Sequence, residues 1–273
     1  MIKTKLDYVK GGDDHFRISA SGISRFFTGT SSWFRQNCCG EDGFTGNTPS
    51  VLGTIVHYGI ECYVKNEEFD LREVNQYLEN QLHVVEDLDI NYINHQYPIM
   101  LSRSLMWVSA NIKTQLVTSE AFLEKELLPG ITVGGSCDLH SDNTVFDWKT
   151  YSAKQPPKSI TYAYKLQALT YAKLLIDKGY NIQYMSIVYI STDIVGEISE
   201  KTGKPLKSYP SDVTVLTEPI TPEDLEMIGN IHQTIANSVE WFRDTPALRP
   251  VIGQDIRLTG CHCTLQKPVD EEI

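Results

Sequence analysis

Apolar positions in the first part of the chain recur at the 3.6-residue spacing of amphipathic helices. Residues 18–34 predict a helix-rich entry segment. Thr48 followed by Pro49 predicts a helix over residues 48–65, because Thr caps helices and Pro suits the first helical position. The chain is therefore expected to begin with helices.

Two further helices follow in the pattern. Asp70 and, three residues later, Glu73 resemble a capping box that opens the first, and Pro98 suits the start of the second. The apolar positions at helical spacing are Leu71, Val74, Leu78 and Leu82 in the first, and Leu101, Leu105, Val108 and Ile112 in the second.

The pattern then changes to β-strands separated by one long helix. That helix is predicted over residues 160–178 and stops at Gly179, and a last helix begins at Thr221-Pro222 and ends before Pro246. The predicted strands cover residues 121–127, 131–140, 144–150, 182–190 and 213–216. This order predicts an α/β fold: a mixed β-sheet flanked by helices, with a helical N-terminal extension.

We expect one domain over residues 1–273, with a mainly helical part at 1–118, a core at 119–192 and a strand-and-helix extension at 193–273. The hydrophobic fraction of 41% and the charged fraction of 22% are typical of a soluble protein. No apolar run approaches the roughly 20 residues that span a bilayer, and the N-terminus has no apolar signal core. These features predict a cytoplasmic protein without a membrane partner.

Net charge is −11, from 35 acidic and 24 basic residues, which argues against nucleic-acid binding by overall charge. Two segments depart from this average. Residues 148–176 and 15–40 contain no acid but several basic residues, and together they could line a phosphate-binding groove. The basic residues that we assign to DNA binding are Arg25, Arg35, Lys154, Lys158 and Lys165.

The most informative stretch joins two predicted strands through a polar turn. Asp147 and Lys149 are two residues apart on the second strand, so their side chains share one face, and the hairpin brings Asp138 toward them. Two carboxylates and an ammonium in one place are costly unless something binds there. Mg²⁺ is a candidate, because it is usually held by one or two carboxylates together with waters and phosphates.

These residues resemble the motifs of the PD-(D/E)XK nuclease superfamily, in its RecB-type exonuclease branch. The G-x-x-D element reads Gly135 to Asp138, and the D-x-K element reads Asp147-Trp148-Lys149. Two more elements match: Q-x-x-x-Y at Gln167 and Tyr171 on the next helix, and G-x-x-x-H at Gly53 and His57 on the helix over residues 48–65.

The resemblance implies a restriction-endonuclease-like fold and a nuclease that uses one or two Mg²⁺ or Mn²⁺ ions. The implied metal ligands are His57, Asp138, Asp147 and the backbone carbonyl of Trp148, and the implied catalytic residues are Asp138, Asp147, Lys149, Gln167 and Tyr171. Lys149 would stabilise charge on the attacked phosphate or position the attacking water, and Gln167 and Tyr171 would have positioning roles.

Several residues allow a second reading. His57 could be an ordinary helix residue, and Gln167 with Tyr171 could be packing. Glu61 could support the metal ligands or be a solvated acid. Four aromatic residues could stack on bases or belong to the core: Trp33, Phe34, Tyr162 and Tyr164.

Some relatives in the RecB-type branch, including CRISPR adaptation nucleases, hold an iron–sulfur cluster with one early and three late cysteines. Only two late cysteines follow here, and the early pair is adjacent, so we expect neither a zinc site nor a cluster. The residues that such a site would use are Cys38, Cys39, Cys261 and Cys263. Cys62 and Cys137 are expected in the core.

We expect a DNA exonuclease that acts on ends or single strands, in recombination, repair or phage DNA metabolism in a bacterial or phage-infected cell. Its alternatives are a structure-specific or defence endonuclease of the same fold and a non-catalytic nucleic-acid-binding protein. The sequence does not identify a helicase or annealing-protein partner.

Overall fold

A computed structural model describes residues 16–38, 46–153, 155–193, 196 and 198–244. Within these ranges, a mixed sheet is surrounded by α-helices. The strands are β1 (Phe16–Ser19), β2 (Thr118–Leu128), β3 (Ile131–His140), β4 (Thr144–Tyr151), β5 (Tyr184–Ser191) and β6 (Val213–Pro219). The helices are α1 (Ile23–Thr28), α2 (Thr30–Cys38), α3 (Thr48–Lys65), α4 (Leu71–Leu82), α5 (Ile90–Asn111), α6 (Tyr162–Asp177) and α7 (Pro222–Asp244).

Strand β3 organises the sheet, because it pairs with three other strands. One edge is taken by β2, antiparallel along almost the whole length of β3. The other edge is shared: β1 pairs parallel with residues 131–134, and β4 pairs antiparallel through Leu139 and His140. Beyond these two residues β3 and β4 separate, which leaves a gap in the sheet.

Strands β4 and β5 run parallel along their full lengths, with α6 as the connection between them. A helix is the usual way to join two parallel neighbours. Strand β6 pairs antiparallel with β5 and forms the far end of the sheet.

Helices cover both faces of the sheet, with one hydrophobic cluster on each. Helices α3, α4 and α5 pack on one face, against residues that include Trp148 of β4 and Val188 of β5. Helices α1, α2, α6 and α7 pack on the other face, against residues that include Val145 of β4 and Ile187 of β5. Alternate residues of each strand thus enter opposite clusters.

The structure confirms the predicted mixed sheet flanked by helices, and two predicted starts were wrong. Helix α5 begins at Ile90 rather than at Pro98, because Asp89 caps it by accepting a hydrogen bond from the N–H of Tyr92 at 2.9 Å. Residues 18 and 19, at the start of the predicted helix-rich segment, belong instead to strand β1, since residues 16–19 pair with β3.

In the part of the chain that the structure describes, no helix combines the length and the apolar character needed to cross a bilayer. The single-domain organisation over residues 1–273 stays a prediction, because residues 245–273 and five shorter segments lie outside the described ranges.

Candidate active site

Asp138 lies where β3 and β4 separate. Its Oδ2 accepts a hydrogen bond from the backbone N–H of Trp148 at 2.8 Å, so the side chain bridges the gap between the two strands. The side chain is 12% exposed. Burial raises the pKa of Asp138, while Lys149 and the Trp148 N–H act against that increase.

Asp147 and Lys149 share one face of β4, as the strand alternation predicts. Lys149 Nζ lies 2.6 Å from Asp147 Oδ2, and the side chains are 19% and 1% exposed. Within the described residues, neither carboxylate oxygen of Asp147 has a hydrogen-bond partner of good geometry. A buried carboxylate that lacks well-aligned hydrogen bonds has unused capacity for a cation.

The charges of this pair follow from burial and from each other. Burial raises the pKa of Asp147 to about 6, with Asp138 acting in the same direction and Lys149 opposing it. Burial alone would lower the pKa of Lys149, but the carboxylates of Asp147 and Asp138 raise it above its usual value. Lys149 is therefore an ammonium at neutral pH.

His57 reaches the same place from helix α3. Its Nδ1 lies 3.7 Å from Asp138 Oδ2. Burial lowers the pKa of His57 to about 4, Lys149 adds to this, and Asp147 and a hydrogen bond with the Trp148 backbone oppose it. Because an acceptor is what raises a histidine pKa, that backbone partner is the carbonyl. The imidazole is neutral at pH 7, the form in which it can bind a metal ion.

The Q-x-x-x-Y and G-x-x-D elements contact each other. Gln167 and Tyr171 of α6 are buried, and a side-chain hydrogen bond from Gln167 is one influence on the Tyr171 hydroxyl. Burial raises the pKa of Tyr171 well above its usual value, and the charges of Asp138 and Asp147 add to it. A Cβ at Gly135 would lie 3.1 Å from the Tyr171 hydroxyl oxygen, so glycine permits this close approach.

Gly53 of the G-x-x-x-H element faces Thr150 of β4. A Cβ there would lie 3.5 Å from Thr150 Oγ1, which is ordinary van der Waals contact. The free protein thus has room for a methyl group at Gly53, and packing between α3 and β4 does not by itself require glycine.

Sequence reasoning missed Glu120 of β2. The antiparallel register places it opposite Asp138, and its φ of 50° is in the left-handed region, where side chains other than glycine are uncommon. Its Oε2 accepts a hydrogen bond from the Ser136 hydroxyl at 2.6 Å. Burial raises the pKa of Glu120 to about 7, and the charge of Asp138 adds to the increase. The hairpin register, had it been counted, would have placed Glu120 beside Asp138.

Three further acids, on α3 and β2, have contacts of their own. Glu61 forms an ion pair with Lys65 one turn later on α3. Glu124 accepts a hydrogen bond from the Thr132 hydroxyl at 2.9 Å, and Glu126 accepts one from the N–H of Gly130 at 3.0 Å. The last two contacts both lie within the β2–β3 hairpin.

The two basic segments come together, because α1 and the turn before it pack on α6. Arg25 and Lys158 are exposed and Arg35 is partly buried. Lys165 forms ion pairs with Asp224 and Glu218 at 3.0 Å and 3.8 Å, and its place in the groove stays a prediction. Lys154 lies outside the described residues.

Cys62 and Cys137 are buried, which confirms their predicted place in the core, and so are Trp33 and Phe34. Cys38 is partly buried at the end of α2. The other cysteines considered for a zinc or iron–sulfur site, Cys39, Cys261 and Cys263, lie outside the described residues, so that expectation stays a prediction.

The residues fit a cation whose coordination shell is completed by water or by substrate oxygens. In the described ranges, no three His, Cys, Asp or Glu side chains are arranged to enclose a metal ion by themselves. Mg²⁺ does not need such a cage, since it is usually bound through one or two carboxylates plus waters and phosphates. The buried Asp147 carboxylate without good hydrogen bonds is the observation that favours this type of site.

Comparison with solved structures shows the same fold in one distant protein and finds a weaker similarity to another. A protein from Eubacterium rectale, whose description as an exonuclease is provisional, superposes with a TM-score of 0.50 at 12% identity, covering 99% of this chain and 97% of that one. An alkaline exonuclease from Laribacter hongkongensis gives a TM-score of 0.39 at 8% identity, with coverage of 86% and 95%.

No curated protein matches the sequence significantly. The family model described as the PD-(D/E)XK nuclease superfamily matches residues 17–246. This match spans β1 to the end of α7 and includes every motif residue described above. The chain therefore belongs to the PD-(D/E)XK nuclease superfamily.

Proposed function

We propose that this chain hydrolyses DNA phosphodiester bonds with the help of Mg²⁺ or Mn²⁺, as an exonuclease acting on DNA ends or single strands. One observation carries the proposal: the buried Asp147 carboxylate accepts no good hydrogen bond among the described residues and lies beside an ammonium, at a gap in the sheet. An activity of this kind would serve recombination, repair or phage DNA metabolism.

The ion would be held by His57, Asp138, Asp147 and the backbone carbonyl of Trp148. A bound divalent ion would supply charge stabilisation at the phosphate and a lowered pKa for a coordinated water. The neutral imidazole of His57 suits this assignment, and such a ligand is compatible with Mn²⁺ as well as Mg²⁺.

Lys149 would act on the phosphate directly. Its raised pKa keeps the ammonium charged, and its position beside Asp147 brings that charge to the carboxylate cluster. A fixed positive charge in a place from which water is largely excluded stabilises developing negative charge more strongly than one in water.

Gln167 and Tyr171 would keep the strand that carries Asp138 in position. Tyr171 packs against Gly135 on the strand that carries Asp138, and its raised pKa keeps the hydroxyl protonated near both carboxylates. These contacts favour a positioning role, because both side chains are buried and neither is free to follow a moving substrate.

The test uses labelled linear duplex, single-stranded and covalently closed circular DNA, each with Mg²⁺, with Mn²⁺ and with EDTA. We expect cutting of linear or single-stranded DNA with either ion and none with EDTA. Lys149→Met should abolish it, whereas Lys178→Met, at an exposed position after α6, should not.

No product with either ion would contradict the proposed hydrolysis, and full activity of Lys149→Met would contradict the role of the lysine. Efficient cutting of the closed circle would favour the endonuclease alternative. DNA binding without cleavage under every condition would favour a binding protein.

A further inference from the structure

Lys149 has a second contact besides Asp147. Its Nζ lies 5.1 Å from the centroid of the Tyr164 ring, over the face of that ring. An ammonium within about 6 Å of an aromatic centroid is attracted by the negative charge of the ring face. Tyr164 is three residues before Gln167 on α6 and is not part of any motif identified in the sequence.

The Tyr164 ring is itself held in place. It lies in the first turn of α6, where Thr161 caps the helix. Its centroid is 6.2 Å from that of the Tyr189 ring, and Tyr189 is 2% exposed. Tyr189 of β5 is the register partner of Lys149 of β4, so the strand that neighbours the lysine also supports the ring above it.

The two contacts of Lys149 differ in what a cation would do to them. A divalent ion bound to Asp147 would compete with Lys149 for the same carboxylate and so weaken the ion pair. The Tyr164 ring does not compete for that ion, so its contact with the ammonium can persist. Without it, a flexible four-carbon side chain would keep no fixed direction once its anionic partner is shared.

We propose that Tyr164 is a positioning residue that holds the ammonium of Lys149 toward the attacked phosphate. The inference rests on the proposed nuclease function, because Lys149 must act in the reaction for its position to matter. The ring face rather than the hydroxyl makes the contact, so phenylalanine should replace tyrosine and an aliphatic side chain should not.

The experiment compares Tyr164→Phe, Tyr164→Leu and the matched control Tyr162→Leu, on DNA with Mg²⁺. Tyr162 is 59% exposed and contacts Met227 instead of Lys149. We expect Tyr164→Phe and Tyr162→Leu to keep kcat within about two-fold. Tyr164→Leu should lower kcat roughly 2- to 30-fold with little change in KM, the range for a partly desolvated cation–π contact.

A spectroscopic measurement reports the contact without turnover. In protein labelled with ¹³C-lysine, the Lys149 ε-methylene signal, assigned by its loss in Lys149→Met, should be shifted upfield by the ring. Tyr164→Leu should move it to the position of solvated lysines, while Tyr164→Phe and Tyr162→Leu should leave it.

Each outcome decides the inference. Equal losses of kcat in the Phe and Leu variants, or a wild-type rate in Tyr164→Leu, would overturn it while leaving the nuclease proposal standing. A Lys149 signal that does not move in Tyr164→Leu would overturn it as well. Absence of any cutting by the wild-type protein would remove both proposals together.

Discussion

The Asp138 carboxylate accepts a hydrogen bond from the backbone N–H of Trp148 at 2.8 Å, across the gap between β3 and β4. The side chain thus has a structural contact as well as its proposed place beside an ion. Because the hydrogen bond needs only an acceptor oxygen whereas the ion needs a negative charge, substitutions can separate the two roles.

Asp138→Asn should keep the strand contact, since its amide oxygen can still accept from the Trp148 N–H, but it should lose the negative charge. We expect loss of DNA cleavage with a nearly unchanged melting temperature. Asp138→Ala should lose cleavage and also cost about 1–3 kcal/mol of unfolding free energy, because a buried N–H loses its acceptor. Denaturant unfolding of both variants checks this, and equal stability of the two would contradict the bridging role.

Glu120 predicts a pH-dependent change in stability. Its pKa in the folded chain is about 7 against an ordinary 4.5, so between these values the folded chain retains a proton that the unfolded chain has lost. The contribution of this group to the unfolding free energy therefore falls as pH rises from about 4.5 to 7.

Glu120→Gln should remove that dependence. In metal-free protein we expect the variant to be more stable than the wild type by about 1–2 kcal/mol at pH 8. This free energy is smaller than the whole pKa difference would give, because the side chain is partly exposed and solvent screens its charge. The gain should disappear near pH 4.5. Melting temperatures across this range in EDTA provide the measurement, and a constant difference would show that the carboxyl does not titrate as described.

Two glycines should respond in opposite ways to a methyl group. A Cβ at Gly134 would lie 2.2 Å from the backbone carbonyl oxygen of Leu123, so Gly134→Ala must displace β2. We expect a loss of more than about 3 kcal/mol or failure to fold. Gly53→Ala should hold or raise stability by about 0.5–1 kcal/mol, because alanine favours the helix and only ordinary contacts form.

Activity of the Gly53→Ala variant adds information that stability cannot give. If the variant folds but cuts DNA poorly, we infer that Gly53 is needed to leave room for the substrate and not to leave room for β4. A strongly destabilised Gly53→Ala would show that α3 lies closer to Thr150 than the 3.5 Å contact allows.

Two lysines of the basic segment should differ in DNA binding. Lys158 is exposed, and Lys158→Ala should weaken DNA binding and reduce the slope of log K against log salt by about 0.7–0.9 if it contacts one phosphate. Lys165→Ala should leave the slope unchanged and cost at most about 1 kcal/mol of stability, because its charge is paired with Asp224 and Glu218. The reverse result would support the predicted place of Lys165 in the groove.

What the sequence could predict followed local rules. Strand β3 and helix α3 have the predicted bounds, since alternation and capping signals are local, and the strand spacing put Asp147 and Lys149 on one face. Strand β1 was missed because its conformation depends on pairing with β3, far along the chain.

In the site, too, features that depend on distant contacts could not be predicted from the sequence. The pairing of Lys165 with Asp224 joins two helices, and no local pattern in the sequence indicates that they are neighbours. Glu120 has an irregular backbone angle in the middle of a strand, which regular alternation does not anticipate. The ion pair depends on a tertiary contact, whereas the place of Glu120 opposite Asp138 follows from the local β2–β3 register and only its irregular backbone angle does not.

The imidazole of His57 belongs to α3, whereas Asp138, Asp147 and Lys149 belong to the sheet. A cut between α5 and β2 would consequently divide the reactive groups between two fragments. The second fragment would retain the acids and the lysine but expose the apolar surface around Trp148 that α3 and α5 cover. Activity regained on mixing the fragments would then report that the first fragment rebinds the sheet, with α3 and α5 on one face, α1 and α2 on the other and β1 beside β3.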